Sequence, residues 1–332
     1  RNADFKDEYI FWSKTLQTNP NSVKAKNNRG CYYERKGLYD KAIDDFSKAI
    51  ELNPKDSKSY NNRGVVYEKK GCLDKAITDY NKAIELDSNY SETYDNRGVA
   101  YAKKGYFDKA IADYDRAIAL NSKYPLAYYN RGSVYKKKGV YNKAIADYDK
   151  AIKLNPKDSK AYNERGVTYE RKGLYDKAIL DFNRAIELDP ACAETFDNRG
   201  SVYGMKGFYD KAIADFDKAI ELNPKDSKVY YGRGLAYKEK GVFDKAITDF
   251  SKTIEIDPKN SMAYIQRGTV YGTKGFINKA IADFTKAIEL NPNYSEAYKN
   301  RGIAYSKKSV FKKSIIYINK ALADLNKAIE LN

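Results

Sequence analysis

The sequence predicts an all-α fold, an α-solenoid of stacked helix pairs, on three observations. An Arg-Gly dipeptide recurs from Arg29-Gly30 to Arg301-Gly302 at a constant step of 34 residues, and a fixed period of this size marks a stacked repeat rather than a single-core domain. Around each dipeptide, apolar residues return every three or four positions, the spacing of one helix face. Gly37, Gly71, Gly105 and their equivalents, with prolines near the ends of most units, stand where helices must stop.

Residues 1–22 match only the second half of a unit, with Phe5, Trp12, Leu16 and Pro20 at its aromatic, aromatic, Ile and Pro positions. They are read as one amphipathic helix covering the N-terminal end of the stack, with Trp12 buried; a remnant of an upstream repeat predicts the same local structure. Nine units fill residues 23–332, starting at Val23, Ser57, Ser91, Pro125, Ser159, Ala193, Ser227, Ser261 and Ser295.

The second unit serves as the type. Tyr60, Gly64 and Tyr67 define helix A over Ser57 to Lys70, which Gly71 ends because glycine tolerates a positive φ beyond a helix C-terminus. Helix B runs from Leu73 to Leu86, with Leu73, Ala76, Ile77, Tyr80, Ala83 and Ile84 on one stripe and Lys75, Asp79 and Lys82 off it. Pro54, Pro156, Pro190, Pro224, Pro258 and Pro292 close most B helices, Ser88 and Ser122 replace proline in two, and Pro125 opens an A helix at the favourable first turn.

The ninth unit departs from the type. Ser309 replaces the turn glycine, and the helix B motif occurs twice in overlapping copies, FKKSIIYINKAL and KALADLNKAIELN, seven residues out of step. This predicts an elongated final helix whose Ile315, Ile318, Leu322, Leu325 and Ile329 help to cover the C-terminal end. A continuous A-B helix is the alternative. One unit of this length buries too little apolar surface to offset its own ordering, so the units are stable only when stacked.

Composition narrows the function. With no histidine, imidazole metal sites, Ser-His-Asp triads and histidine general bases are excluded. No catalytic, cofactor or metal constellation replaces them. Cys31, Cys72 and Cys192 are far apart and form neither a disulfide framework nor a zinc motif; so sparse and odd a count predicts a reducing, intracellular setting. No apolar run is long enough to span a membrane. The chain begins at Arg1 without a methionine or a signal-like segment, which predicts a piece of a longer protein.

Tyr60, Gly64, Tyr67, Ala76, Tyr80 and Ala83 stand at the places of a W-x2-L-G-x2-Y, A-x3-F pattern. On these residues the unit resembles the tetratricopeptide repeat, and nine units carry the resemblance over residues 23–332. It implies antiparallel helix pairs in a right-handed superhelix of about one turn, with a concave groove lined by helix A that holds a peptide or another protein. One departure is systematic: arginine replaces the family leucine before the glycine, from Arg29 to Arg301. The first eight units also place an aspartate in helix B, at Asp45, Asp79, Asp113, Asp147, Asp181, Asp215, Asp249 and Asp283. An Arg-Asp pair, within or between units, would keep a core-facing guanidinium from being buried alone. The chaperone carboxylate clamp of the family is not expected. Lys58, Lys160 and Lys228 match one of its lysines, but Cys31, Val65, Val99 and Ser133 stand where it needs asparagine, and its arginine is missing.

Thirty-two tyrosines suggest a base-stacking platform. However, the columns from Tyr33 to Tyr305 and from Tyr60 to Tyr298 fall at packing positions and are assigned to the core. Binding residues are sought where the copies differ. One helix A column reads Asn27, Asn61, Asp95, Tyr129, Asn163, Asp197, Tyr231, Ile265 and Lys299; the next reads Asn28, Asn62, Asn96, Asn130, Glu164, Asn198, Gly232, Gln266 and Asn300. An asparagine ladder can pair with the N–H and C=O groups of an extended peptide, with plain solvation of the helix surface as the alternative. A third column, Arg35, Lys69, Lys103, Lys137 and Arg171, then Met205, Glu239 and Thr273, makes the first half basic. The chain carries a net charge of +16, and an acidic peptide suits such a groove. Nucleic acid is the competing use of basic charge, but Glu34, Glu68 and Glu170 interrupt it and no nucleic-acid motif is present. The sequence thus predicts a non-enzymatic scaffold for a peptide or protein segment, monomeric or weakly self-associating. A structural or self-assembling module is the alternative.

Overall fold

The computed structural model describes residues 2–331, with side chains from residue 8 onward, so the assignment of Phe5 lies outside the described side chains. Among these residues a leading helix, α1 (Asn2–Thr18), precedes nine helix pairs. The A helices are α2 (Val23–Arg35), α4 (Ser57–Lys69), α6 (Ser91–Lys103), α8 (Pro125–Lys137), α10 (Ser159–Arg171), α12 (Ala193–Met205), α14 (Ser227–Glu239), α16 (Ser261–Thr273) and α18 (Ser295–Lys312). The B helices are α3 (Tyr39–Leu52), α5 (Leu73–Leu86), α7 (Phe107–Leu120), α9 (Tyr141–Leu154), α11 (Tyr175–Leu188), α13 (Tyr209–Leu222), α15 (Phe243–Ile256), α17 (Ile277–Leu290) and α19 (Ile315–Glu330). All nine A helices begin at the residues that the 34-residue register predicts.

The chain forms two compact units, residues 1–168 and 169–332. In unit 1, each A helix packs on its own B helix and on the preceding one. Furthermore α2 touches α4, α4 touches α6 and α6 touches α8, whereas α3, α5 and α7 do not touch one another. Unit 2 repeats this arrangement, with α12, α14, α16 and α18 in succession. In each unit the A helices therefore lie on the inside of the bend.

Two glycines explain most of the register. Gly71 takes φ +76° with nothing within 4 Å of an added Cβ, so the backbone conformation alone requires it. The Cys72 N–H donates to the Tyr67 carbonyl at 2.8 Å and the Gly71 N–H to the Glu68 carbonyl at 2.9 Å, the paired bonds of a Schellman stop. Gly64 is needed for space: a Cβ there would stand 2.6 Å from Cε1 of Tyr80. That ring and its equivalents on the B helices, among them Phe46, Tyr114, Tyr148, Phe182 and Phe250, are the largest fully buried side chains.

Next to the glycine, the Arg63 Nε and Nη2 donate to the two oxygens of Asp79 at 2.8 and 2.9 Å. Arg29, Arg97, Arg131, Arg199, Arg233 and Arg267 hold Asp45, Asp113, Asp147, Asp215, Asp249 and Asp283 in the same fork. Asp79 is thus buried rather than off the packed face. The remaining nitrogen reaches the preceding repeat: Nη1 of Arg63 donates to Ser47, of Arg97 to Asn81 and of Arg267 to Ser251. The Arg63 guanidinium carbon lies 5.7 Å from the Tyr60 ring centre and 5.9 Å from that of Tyr67. The two tyrosine columns pack against the apolar clusters, as with Tyr33, Tyr67, Tyr101 and Tyr237, but most are only half-buried, with the guanidinium against their rings.

Both ends differ from expectation. Trp12 is half-exposed rather than buried, because α1 packs on α2 and has no element on its other side among the described residues. Leu16 is buried, and the Tyr9 ring lies 5.2 Å from that of Tyr32. At the other end, helix A runs through Ser309, and the turn is kept four positions later at Lys313, a left-handed residue with φ 47°. The helices do not fuse. The second motif copy does the packing: Ala321, Asp324 and Ala328 are buried, and Leu325 takes the place of the aromatic against Gly302. Arg301 grips Asp324 at 2.7 and 2.8 Å, seven residues beyond the usual partner position. The elongation falls mainly on α18, and Ile315, Ile318, Leu322 and Ile329 are exposed among the described residues.

Two stability measurements follow. Asp113→Ala leaves Arg97 buried without its partner; because the arginine side chain keeps 19% exposure, the expected cost is about 3 kcal/mol, the low end for a broken buried pair, read as a lower Tm. Lys313→Gly relieves a left-handed non-glycine residue and raises stability by about 1 kcal/mol, measured by urea titration.

Candidate functional site

The inner faces of the A helices carry three columns of side chains that differ between repeats, and their partners divide them sharply. Two of the columns, that of Asn27, Asn61, Asp95, Tyr129 and Tyr231 and that of Asn28, Asn62, Asn96 and Asn130, are joined to each other by stacking in unit 1. The Asn62 amide donates to Oδ1 of Asn27 at 3.0 Å, that of Asn96 to Asn61 at 3.1 Å, and that of Asn130 to both oxygens of Asp95 at 3.0 and 3.2 Å. An asparagine ladder is present, and its rungs run from one repeat to the next. Asn61 is buried; Asn28 and Asn198 are half-buried. Asn28 and Asn62 also border a polar hollow of about 460 Å³ shared with Lys24 and Lys58.

Tyr129 and Tyr231 occupy the Asn27 column but do not form an open platform. Their rings sit 5.9 Å from Tyr148 and 5.8 Å from Phe250, against the buried aromatics of their own repeats. Burial pushes the Tyr231 hydroxyl up to about 12.

The basic column is exposed throughout, yet much of its charge is answered. Arg35 pairs with Glu8 at 2.5 Å, Lys69 with Glu34, and Lys103 with Glu68 at 2.9 Å. Each lysine thus meets a glutamate of the preceding repeat. Sequence reasoning noted these acids as interruptions and missed that they sit 35 residues before each lysine, the distance that brings adjacent A helices together. Lys137 breaks the series because Ala102 stands where Glu34 and Glu68 stand earlier. It is exposed and makes no ion pair among the described residues. In unit 2, Arg171, Met205, Glu239 and Thr273 continue the column as exposed side chains.

One charge in the Asn27 column is anomalous. Asp95 is 1% exposed, receives bonds from the Asn130 amide and, at 3.4 Å, from the Tyr124 hydroxyl, and makes no ion pair among the described residues. Burial raises its carboxyl to about 6, despite the opposing bonds from Asn130 and Tyr124. In unit 2, Asp197 is raised to about 6, first by burial and then by Asp226.

Comparison with known proteins bears on this arrangement. A family model described as tetratricopeptide repeat matches residues 23–56, 57–90, 159–192 and 227–260. One described as TPR repeat matches 101–139, 133–173, 206–241 and 273–309. No curated protein matches the sequence. Among solved structures, a tetratricopeptide repeat protein from Parabacteroides merdae ATCC 43184 is 23% identical with a TM-score of 0.57, over 75% of this chain and 98% of that one. The APC/C hetero-tetramer Cut9-Hcn1 is 17% identical with a TM-score of 0.60, over 89% of this chain and 58% of that one. Both likenesses concern the fold. YrrB, described as a TPR protein with an unusual peptide-binding site, is 30% identical with a TM-score of 0.47, over 59% of this chain and 97% of its own.

The buried carboxylate gives a measurable pH dependence. An aspartate near 3.9 when unfolded and about 6 when folded binds its proton more tightly in the folded state. The contribution of this group to stability is therefore greatest below about pH 4, falls as pH rises to about 6, and is level above that. Asp95→Asn gives the rung to Asn130 the same asparagine that Asn61 supplies to Asn96, removes this component and leaves that of Asp197. At pH 7 it is expected to be more stable on the order of 2 kcal/mol, checked by denaturant titrations at pH 4 and pH 7.

Proposed function

This chain belongs to the tetratricopeptide repeat family, and we propose that it is a non-enzymatic scaffold holding a peptide or protein segment against the inner faces of its A helices. Members of this family act as protein-interaction scaffolds, and no described helix is long and apolar enough to cross a membrane. The observation that carries the proposal is the outer column from Arg35 to Thr273. Every one of its side chains is exposed, and its chemistry changes from basic to mixed while the positions that build the stack repeat. Packing does not require that change; recognition of a non-repeating segment does.

In unit 1 the segment is acidic. Lys137 supplies a cation with no ion-pair partner among the described residues, and Lys69 and Lys103 can exchange their glutamates for carboxylates of the segment. Asn96 and Asn130 each keep a side-chain carbonyl with no donor among the described residues, able to accept a backbone N–H; Asn28, Asn62 and Tyr129 complete the surface. In unit 2 the contacts fall to Arg171, Asn198 and Tyr231.

A pull-down with the intact chain and with a Lys103→Glu/Lys137→Glu variant tests the reading. Two lost exposed charge pairs, together about 1.4 kcal/mol, correspond to roughly tenfold weaker capture, with a slightly lower Tm because Glu68 loses Lys103. An unaltered set and amount of captured proteins would reject it.

A further inference from the structure

We propose that unit 2 carries two side-chain sockets, two repeats apart, that seat two aromatic side chains of one extended segment. The proposal rests on the scaffold reading and narrows it.

The first hollow, about 280 Å³, is bordered by Gly204, Met205, Phe216, Gly232 and Leu235. The second, about 140 Å³, is bordered by Gly272, Thr273, Phe284, Asn300 and Ile303. The two are the same site used twice: Gly204 corresponds to Gly272, Met205 to Thr273, Phe216 to Phe284, Gly232 to Asn300 and Leu235 to Ile303, each at a distance of two repeats. An apolar cavity of about 150 Å³ accommodates a benzene ring. The second socket thus has room for one ring and the first for a larger one.

Glycine keeps them open. The position of Gly204 and Gly272 is held by Glu34, Glu68, Ala102 and Lys136 in unit 1 and by Lys238 in the repeat between the sockets. Where the side chain is long it crosses to the next repeat: Lys136 bonds Glu164, and Lys238 donates to Gln266 at 2.9 Å. The fold does not demand glycine at either place. Neither residue has a positive φ, and an added Cβ would meet only Ala212 Cβ at 4.0 Å or Ala280 Cβ at 3.8 Å, ordinary contacts. Gly234, by contrast, faces a ring carbon at 2.8 Å. A glycine inside a helix is less stabilising than alanine, and here the absent side chain has one structural effect, an open socket.

Spacing and charge define the occupant. α12 touches α14, and α14 touches α16. Packed helices lie about 8–10 Å apart, so the sockets are separated by about 16–20 Å, which an extended chain covers in about five or six residues at ~3.3 Å each. Lys307, on the rim of the second socket, is exposed and makes no ion pair among the described residues. It calls for an acidic residue beside the second aromatic.

The test uses fluorescein-labelled synthetic peptides of glycine, serine and asparagine, read by anisotropy against the intact chain. One carries two phenylalanines about six residues apart with glutamate after the second; one lacks the first phenylalanine; one has the pair adjacent. The spaced peptide is expected to bind at least about tenfold tighter than either control. A Gly204→Lys/Gly272→Lys variant, which copies Lys238 and substitutes a better helix former, should keep or raise the Tm and abolish that advantage. Equal binding of the three peptides, or an advantage that survives in the variant, overturns the sockets. Either result, combined with lost protein capture by Lys103→Glu/Lys137→Glu, removes the sockets and leaves the scaffold reading standing.

Discussion

The stack depends on the fork between an A-helix arginine and a B-helix aspartate. The aspartates are nearly buried, and a carboxylate removed from water is tolerable only if its oxygens are satisfied; Arg63 meets both oxygens of Asp79 with one rigid planar group. The same guanidinium bonds the preceding B helix and lies against two tyrosine rings. One side chain thus joins the two helices of a repeat and the repeat to its predecessor. Lysine offers no planar fork of this kind and would not be an equivalent replacement. The ninth repeat shows how strongly the pairing is retained. Seven added residues are about two helical turns, so Asp324 returns to nearly the same face, and Arg301 finds it there.

Around this fork, other polar side chains are committed to stacking rather than to partners. The asparagine rungs and the Lys69–Glu34 and Lys103–Glu68 bridges all connect neighbouring A helices. Exposed bridges of this kind add little stability individually, but they neutralise a surface that reads as strongly basic in composition. What remains available is therefore local. In the outer column of unit 1 it is Lys137, which makes no ion pair among the described residues because an alanine interrupts the glutamate series. In unit 2 it is apolar space, where glycines interrupt the series of long side chains.

Helix starts, turn glycines and the packed B-helix stripe were legible because they follow from backbone geometry and period alone. The Arg-Asp pairing was legible too, as a regular departure that needed a compensating charge. Less of the site could be read. The asparagines looked available because a column in sequence does not reveal that the Asn62 and Asn96 amides lie within 3.1 Å of an acceptor in the adjacent repeat. The tyrosines were legible as packing residues from their period, but not that a guanidinium lies against their rings beside the apolar clusters. In the last repeat two overlapping motif copies were equally good helices; placing Asp324 and Leu325 against Arg301 and Gly302 selected the second.

The sequence by itself determined the repeat, its register, the helices and the need for an internal counter-charge, because each is a property of one unit and its periodicity. Tertiary structure decided which polar side chains are occupied and which are free, which copy of the last motif packs, and where the sockets lie. Those depend on atoms about 35 or 68 positions apart that only stacking at helix-packing distance brings together.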